Sequence, residues 1–474
     1  MPDTISGYLE QVRAQIRWKR AQPALLQELE THLLDQRDAC MAAGMTAEEA
    51  EREALRQMGD PVETGAALDR VHRPRPQWGL LALIVVLAVV CCVLRVWLTE
   101  DFLTGGMLTD RALLLRNFII RNALGLAAGL AVLTGCYLAD VSVFTAHGKA
   151  VFAAAVLCVV ELTVHPPMRV SGVSLFARYI AIMLPTAYAC WLCAFRSRGW
   201  RGICMAAAGG LLALGVTAAI PYILGFVVFA VTADVLLLAA AWEDWFGIGR
   251  KRTLALLGLG NLAVLGLAWF LLRVRGLGAY RLTMAFHPEM EPYAGGYQAL
   301  SVRGILQGVQ LWGQGTLPST VRDGSLLYAA PALDSDFLLT NLLYRLGWIP
   351  FFLFMAGFVL LLVWVAVRCL RQRGCMGRLV ALSVAVVLGL QALLSVAANL
   401  GFVLLPAHFP LLMGCWNTNI DLALLGLALS VFRGAELPQR TAAAVQPKRW
   451  MASRVRFQNG ELTIRLSRCS PSEK

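Results

Sequence analysis

From Trp78 to Phe432 the sequence alternates between long apolar runs and short polar links, and this alternation limits what the chain can fold into more than any other feature. The runs lie near residues 78–98, 112–139, 148–164, 173–195, 202–219, 221–242, 253–274, 338–367, 379–404 and 411–432. A helix needs about 20 residues to cross the hydrocarbon core of a bilayer, where each backbone N–H and C=O must find its partner inside the segment. Ten helical crossings follow, and with them an all-α, polytopic membrane fold. Composition agrees: 58% of the 474 residues are hydrophobic and only 15% charged, against roughly a quarter charged in an ordinary soluble domain. Too few charges remain to build a water-facing surface.

The basic residues orient the bundle. Arg196, Arg198 and Arg201 follow the fourth run, Arg250, Lys251 and Arg252 the sixth, and Arg368, Arg371, Arg373 and Arg378 the eighth. Alternate links share one side, and an excess of Lys and Arg marks that side as cytoplasmic. The tail 434–474, with eight Lys/Arg against three Asp/Glu, joins it, so both termini are expected in the cytoplasm. The formal charge of +12 is then mostly topology, although the tail is also suited to anionic lipid head groups. Nucleic acid is excluded as a partner, because that reading needs basic residues gathered on one water-soluble face. Twelve cysteines suggest a disulfide framework until they are placed: eight lie in or beside apolar runs, four in segments assigned to the cytoplasm, and none in the long outer loop. None has zinc-like spacing, so they are read as packing residues.

Residues 1–77 differ from the rest, with ten Lys/Arg and thirteen Asp/Glu. A polar, acidic start argues against a signal peptide. Helices are predicted from Ala24 to Ala43, from the capping box Thr46-Ala-Glu-Glu49 to just before Gly59, and from Asp60-Pro61 onward. Leu25, Leu26, Leu29, Leu33 and Leu34 form one apolar stripe for packing them together. The expected organisation is a cytoplasmic helical prefix domain, 1–77; a transmembrane domain, 78–433; and a basic tail, 434–474.

One link is long. Residues 276–335, between the seventh and eighth runs on the outer side, hold Arg281, His287, Glu289, Glu291, Arg303, Arg322, Asp323 and Asp334, with Asp336 at the junction with the eighth run. Loops of this length in a compact protein are usually functional. A carboxylate where water meets the end of an apolar helix can act as a general base or help hold a divalent cation. Capping the free amides of that helix is the alternative role for Asp336. Gly295-Gly-Tyr297-Gln298 and Gly308-Val-Gln-Leu-Trp-Gly313-Gln-Gly315 supply turns beside amide and aromatic groups, suited to a sugar or diphosphate and equally to turns alone. Arg116, Arg121 and Arg178 lie among apolar residues, where a charge is costly unless it reaches the interface or a polar partner. Arg178 is the best placed of the three for a substrate phosphate. Asp234 and Asp421 are the acids deepest in apolar sequence, candidates for a proton path or for silent pairing with an arginine. No phosphate-binding loop, Gly-x-Ser-x-Gly elbow or His-Glu-x-x-His occurs, which removes ATPase, serine hydrolase and zinc protease as classes.

Tyr280-Arg281-Leu-Thr-Met-Ala-Phe-His-Pro-Glu289, Gly296-Tyr297-Gln298, Gly313-Gln-Gly315, Pro331-Ala-Leu-Asp-Ser-Asp336-Phe337 and Leu346-Gly347 together resemble, in order and spacing, the signature of the SEDS family (shape, elongation, division, sporulation), to which RodA and FtsW belong. The resemblance covers about 78–433 and is strongest over 280–347. Residues 1–77 resemble the prefix domain found ahead of some permeases, through Glu28-Leu-Glu-Thr-His32, Ala50-Glu-Arg-Glu-Ala54 and Met58-Gly-Asp-Pro61.

The family resemblance implies a peptidoglycan glycosyltransferase acting on lipid II in the bacterial plasma membrane, during cell wall synthesis, cell shape maintenance or division, with a class B penicillin-binding protein as partner. It implies Asp336 as catalytic residue and Arg178, Arg281, Tyr297, Gln298, Gly313 and Gly315 as substrate-binding residues. Asp336 is also the implied ligand of a divalent cation, Mg or Mn, if one assists loss of the diphosphate. Departures from the pattern are Leu175 where the family has Glu, Tyr344-Arg345 where it has paired acids, and Met413-Gly-Cys-Trp-Asn-Thr418 in place of a late Ser-Tyr-Gly-Gly-Ser-Ser. A flippase or transporter of a lipid-linked precursor, and a noncatalytic scaffold for a penicillin-binding protein, are the other two readings.

Overall fold

The computed structural model describes residues 4–19, 22–72, 76–104, 111–139, 144, 147–170, 173–220, 222–275, 277–316, 333, 336–372, 375–405, 408–412, 415–433, 455–458 and 461–464. The chain divides into two compact units, Met1–Pro74 with Glu436–Lys474, and Arg75–Ala435.

The first unit holds four helices, α1 (Ile5–Gln15), α2 (Gln22–Ala42), α3 (Ala47–Met58) and α4 (Pro61–His72). The last three match the sequence expectation, including the capping box in which Thr46 and Glu49 satisfy each other's backbone amides. Helix α1 is an addition. Its apolar positions Ile5, Tyr8 and Val12 recur at helical spacing and are buried, and Tyr8, Val12 and Leu33 form the centre of the small core. A short antiparallel ribbon, β3 (Val455–Gln458) with β4 (Glu461–Ile464), lies in the segment read from sequence only as a basic tail.

The second unit is a polytopic helical bundle. Each of the ten apolar runs is helical: α5 (Trp78–Thr104), α6 (Arg111–Leu138), α7 (Gly148–Val164), α8 (Leu175–Ala181) with α9 (Leu184–Ala194), α10 (Trp200–Ala219), α11 (Ile223–Trp242), α12 (Arg250–Arg275), α15 (Leu338–Leu346) with α16 (Trp348–Leu370), α17 (Cys375–Asn399) and α18 (Cys415–Phe432). Among the described residues six helices, α5, α6, α10, α11, α16 and α17, are each long and apolar enough to cross a membrane, and α8 with α9 makes a seventh, bent by 44°. Arg169–Val170 and Val173–Ser174 (β1 and β2) form a two-residue hairpin just before α8.

Two runs expected to be continuous are broken. The fourth run bends between α8 and α9, around Ile182 and Met183. The eighth breaks at Gly347, whose φ of +89° lies in the left-handed region, where a side chain is costly. The amides of Trp348 and Ile349, orphaned at the start of α16, donate to the carbonyls of Gln310 and Leu311 at 3.1 and 3.0 Å. The described part of the long link contains α13 (Leu277–Phe286), a 3₁₀ turn Pro288–Met290 and α14 (Tyr297–Gln307). Buried Val302 and Ile305 of α14 pack with Leu333, Phe337 and Ala398, which anchors the chain on both sides of Asp336.

Candidate functional site

Asp336 stands two residues before α15 begins. It does not cap that helix: Phe337 occupies the cap position and no side chain bonds there. The amide a cap would take, that of Thr340, already donates to Asn399 Oδ1 of α17 at 2.9 Å, and the Thr340 hydroxyl donates to the same oxygen at 3.0 Å. Asn399 Nδ2 in turn donates to the Asp336 carbonyl at 3.2 Å. Asn399, itself 1% exposed, therefore caps α15 from a neighbouring helix and leaves the Asp336 carboxylate free. A buried amide deprived of its acceptor costs about 1–3 kcal/mol. Asn399→Leu should accordingly destabilise the protein by about that amount, measured as earlier thermal unfolding in detergent.

The freed carboxylate meets His408. His408 Nδ1 lies 3.0 Å from Asp336 Oδ1, with the imidazole 11% and the carboxylate side chain 32% exposed. Arg178, in the last turn of α8, adds a longer-range positive charge, and its guanidinium stacks 4.6 Å from the centre of the Tyr222 ring. Tyr222 experiences the charges of both Arg178 and Asp336, which places the three groups in one neighbourhood. Burial works to raise the Asp336 pKa, but the His408 contact, the charge on His408 and the Arg178 charge together outweigh it, and the carboxyl is held below its ordinary range. The space beside it, walled by Asp336, Ser395, Asn399, Phe409 and Leu412 among others, is too tight to admit a water molecule.

His408 was not singled out from sequence. It sits in a short segment, 408–412, whose position is fixed from α18: buried Asp421 accepts the Leu411 amide at 2.9 Å, and the Thr418 hydroxyl donates to the Leu411 carbonyl at 3.2 Å. Leu411 has φ +65°, a conformation rare for a bulky side chain. A histidine nine residues after α17 and seven before α18 carries no helical spacing signal.

The other expected site residues are placed elsewhere. Gly313 and Gly315 build the break in the eighth run, their amides donating to Leu346 and Tyr344 carbonyls at 2.9 and 2.7 Å. Tyr297 opens α14 and is half-buried, with its carbonyl accepting from Ser301, while Gln298 and Arg281 are exposed. Arg303 ties this segment down, donating to the carbonyls of Gly401 at 3.1 Å and Ala285 at 3.2 Å. Arg322, Asp323 and Asp334 lie outside the described residues. Of the deep acids, Asp234 accepts from Asn261 at 2.8 Å and Asp421 from Leu411, so each has a structural partner. Among the described residues no three His, Cys, Asp or Glu side chains gather to hold a metal ion. Asp336 and His408 by themselves do not make a cation cage among the described residues.

Neither a family model nor a curated sequence matches the chain. By structure it is similar to a chain solved in work on the structural coordination of polymerization and crosslinking by a peptidoglycan synthase complex, at a TM-score of 0.57 and 17% identity, over 76% of this chain and 98% of that one. The two chains share a fold. Two structures of the rod shape determining protein RodA from Thermus thermophilus, one of them a point mutant, are similar at a TM-score of 0.49 and 16% identity. They align over 77% of this chain and 99% and 98% of theirs.

Proposed function

We propose that the chain is a SEDS-type glycosyltransferase that polymerises peptidoglycan glycan strands from lipid II in the bacterial plasma membrane, with both termini cytoplasmic and a class B penicillin-binding protein as partner. The observation that carries this reading is an ionised carboxylate, Asp336, held within charge reach of Arg178, in a fold shared with a chain of a peptidoglycan synthase complex.

The chemistry follows from the charges. The acceptor sugar hydroxyl attacks the anomeric carbon of the donor, Asp336 takes the hydroxyl proton, and the bond to the lipid diphosphate breaks with its electron pair leaving on the diphosphate. Arg178 offsets the diphosphate charge. In the resting site Arg178 also lowers the proton affinity of Asp336. When a bound diphosphate neutralises that guanidinium, the burial that opposes ionisation is less well countered, so substrate binding strengthens the base that acts on it.

Purified protein given labelled lipid II tests the proposal: glycan chains should appear, and their absence in the presence of the partner protein would sink it. Arg178→Ala should raise the KM for lipid II by about ten- to a hundredfold, the equivalent of the 1.5–3 kcal/mol carried by a hydrogen bond to a charged group. A transporter reading is less well supported, since Asp234 and Asp421 both have structural partners. Movement of lipid II across liposomes, lost on neutralising either acid, would favour it. Polymer-independent pull-down of a penicillin-binding protein, with full complementation by Asp336→Ala, would favour the scaffold.

A further inference from the structure

The segment carrying His408 is held more firmly than a loop end requires. Both backbone polar groups of Leu411 are engaged by α18, its N–H by the Asp421 carboxylate and its C=O by the Thr418 hydroxyl. Leu411 itself is kept in the left-handed region at φ +65°, a conformation that costs a residue other than glycine of order 1–3 kcal/mol and persists only where its surroundings enforce it. Leu411 and Leu412 are almost fully buried, and the Phe409 ring sits 4.6 Å from that of Phe358 and 5.7 Å from that of Phe354. With the segment clamped at 409 and 411, the imidazole one residue earlier has little freedom, and it meets Asp336 Oδ1.

We propose that Asp421 is a positioning residue for the reaction, setting His408 against Asp336 through the left-handed turn at Leu411. The inference rests on the reading of Asp336 as the working carboxylate. It gives a role to the most deeply buried acid of the bundle: Asp421 acts as a hydrogen-bond acceptor for one amide, for which a carboxamide oxygen would serve equally.

The titratable or charged groups facing Asp336 are His408 from the segment before α18, Arg178 from α8 and Tyr222 from the turn before α11. Removing the His408 contact leaves burial opposed by Arg178 alone, so the acid limb of the rate profile moves to higher pH. The experiment is the pH dependence of lipid II polymerisation by the full-length protein in His408→Ala, Asp421→Ala and the double variant. Both single variants should move the acid limb upward, and the double variant should move it no further than His408→Ala alone. Asp421→Asn, whose Oδ1 still accepts the Leu411 amide, should recover the wild-type limb. Should Asp421→Ala fold poorly, Leu411→Gly in the same chain, free to adopt the turn unaided, should restore folding and part of the profile.

An Asp421→Asn protein as impaired as Asp421→Ala would overturn the proposal in favour of a proton-carrying carboxyl, and so would an Asp421→Ala protein that melts early with its acid limb unmoved. If Asp336→Asn polymerises normally, the functional reading itself fails. If Asp336→Asn is inactive while the acid limbs of the His408 and Asp421 variants stay in place, only the positioning inference fails.

Discussion

Replacing Asp336 by asparagine should lower the rate of lipid II polymerisation by about 10²- to 10⁴-fold, the range in which removal of a positioned general base is felt. Asparagine is nearly isosteric, and the hydrogen bond from Asn399 goes to the Asp336 backbone carbonyl, not to its carboxylate. The helix cap and the packing of Leu333 and Phe337 are therefore untouched by the change, and the protein should keep its fold. What is lost is the carboxylate that can accept a proton from a sugar hydroxyl while it lies against His408 and within charge reach of Arg178. The sign of the pH dependence follows. The Asp336 carboxyl is held below its ordinary range, so it is charged at neutral pH. Its contribution to activity and to stability is present above its unfolded pKa, about 3.9, and is lost as the pH falls through the lower folded value. A profile flat from pH 7 down to about 5, followed by loss at more acidic pH, is expected of the wild type. Normal chain lengths and rates from Asp336→Asn, assayed in the same detergent and with the same substrate, would remove this carboxylate from the mechanism.

How far the sequence could be read depended on how local the cause of each feature was. The ten helical runs were legible because bilayer thickness imposes one length and one polarity on a crossing, and both are local properties of the chain; among the described residues six of the helices and one bent pair are long and apolar enough to cross a membrane. The three prefix helices were legible for the same kind of reason: Thr46 and Glu49 announce a cap within four residues. The break at Gly347 was not legible, because a glycine inside an apolar run is ordinary in a membrane helix, and its meaning comes from the carbonyls of Gln310 and Leu311, some 36 residues earlier. Asp336 was visible as an acid at a helix junction, yet what distinguishes a cap from a free carboxylate is Asn399, supplied by a different helix 63 residues away. His408 and the turn at Leu411 were invisible for the same reason, since the partners that give them significance come from distant parts of the chain or lie across a turn. Arg178, expected to meet a substrate phosphate, lies within charge reach of Asp336, and Gly313 and Gly315, expected to contact substrate, also shape the break in the eighth run.

That break is where a single methyl group should be felt most strongly. A Cβ on Gly347 would lie 2.7 Å from the Gln310 carbonyl oxygen and 2.9 Å from the carbonyl carbon and oxygen of Leu311. These are backbone atoms, which cannot swing aside as a flexible side chain could. The residue also has φ +89°, where a β-branched side chain adds roughly 1–2 kcal/mol of steric cost. Relieving the clash by moving the 310–315 segment would weaken the hydrogen bonds from Trp348 and Ile349 to Gln310 and Leu311 and from Gly313 and Gly315 to Leu346 and Tyr344, each contributing roughly 1 kcal/mol. Gly347→Val should therefore destabilise the protein by on the order of 3–5 kcal/mol. It should also abolish polymerisation, because α15, which follows Asp336 directly, would lose its fixed angle to α16. The control is Gly389→Ala in the interior of α17, where an added Cβ meets nothing within 4 Å and helix propensity alone should stabilise by about 0.5–1 kcal/mol. Thermal unfolding of both variants in detergent separates the outcomes: a Gly347→Val protein that melts with the wild type would mean that the eighth run does not need its break, and that Asp336 is positioned by Asn399 and the α14 packing alone.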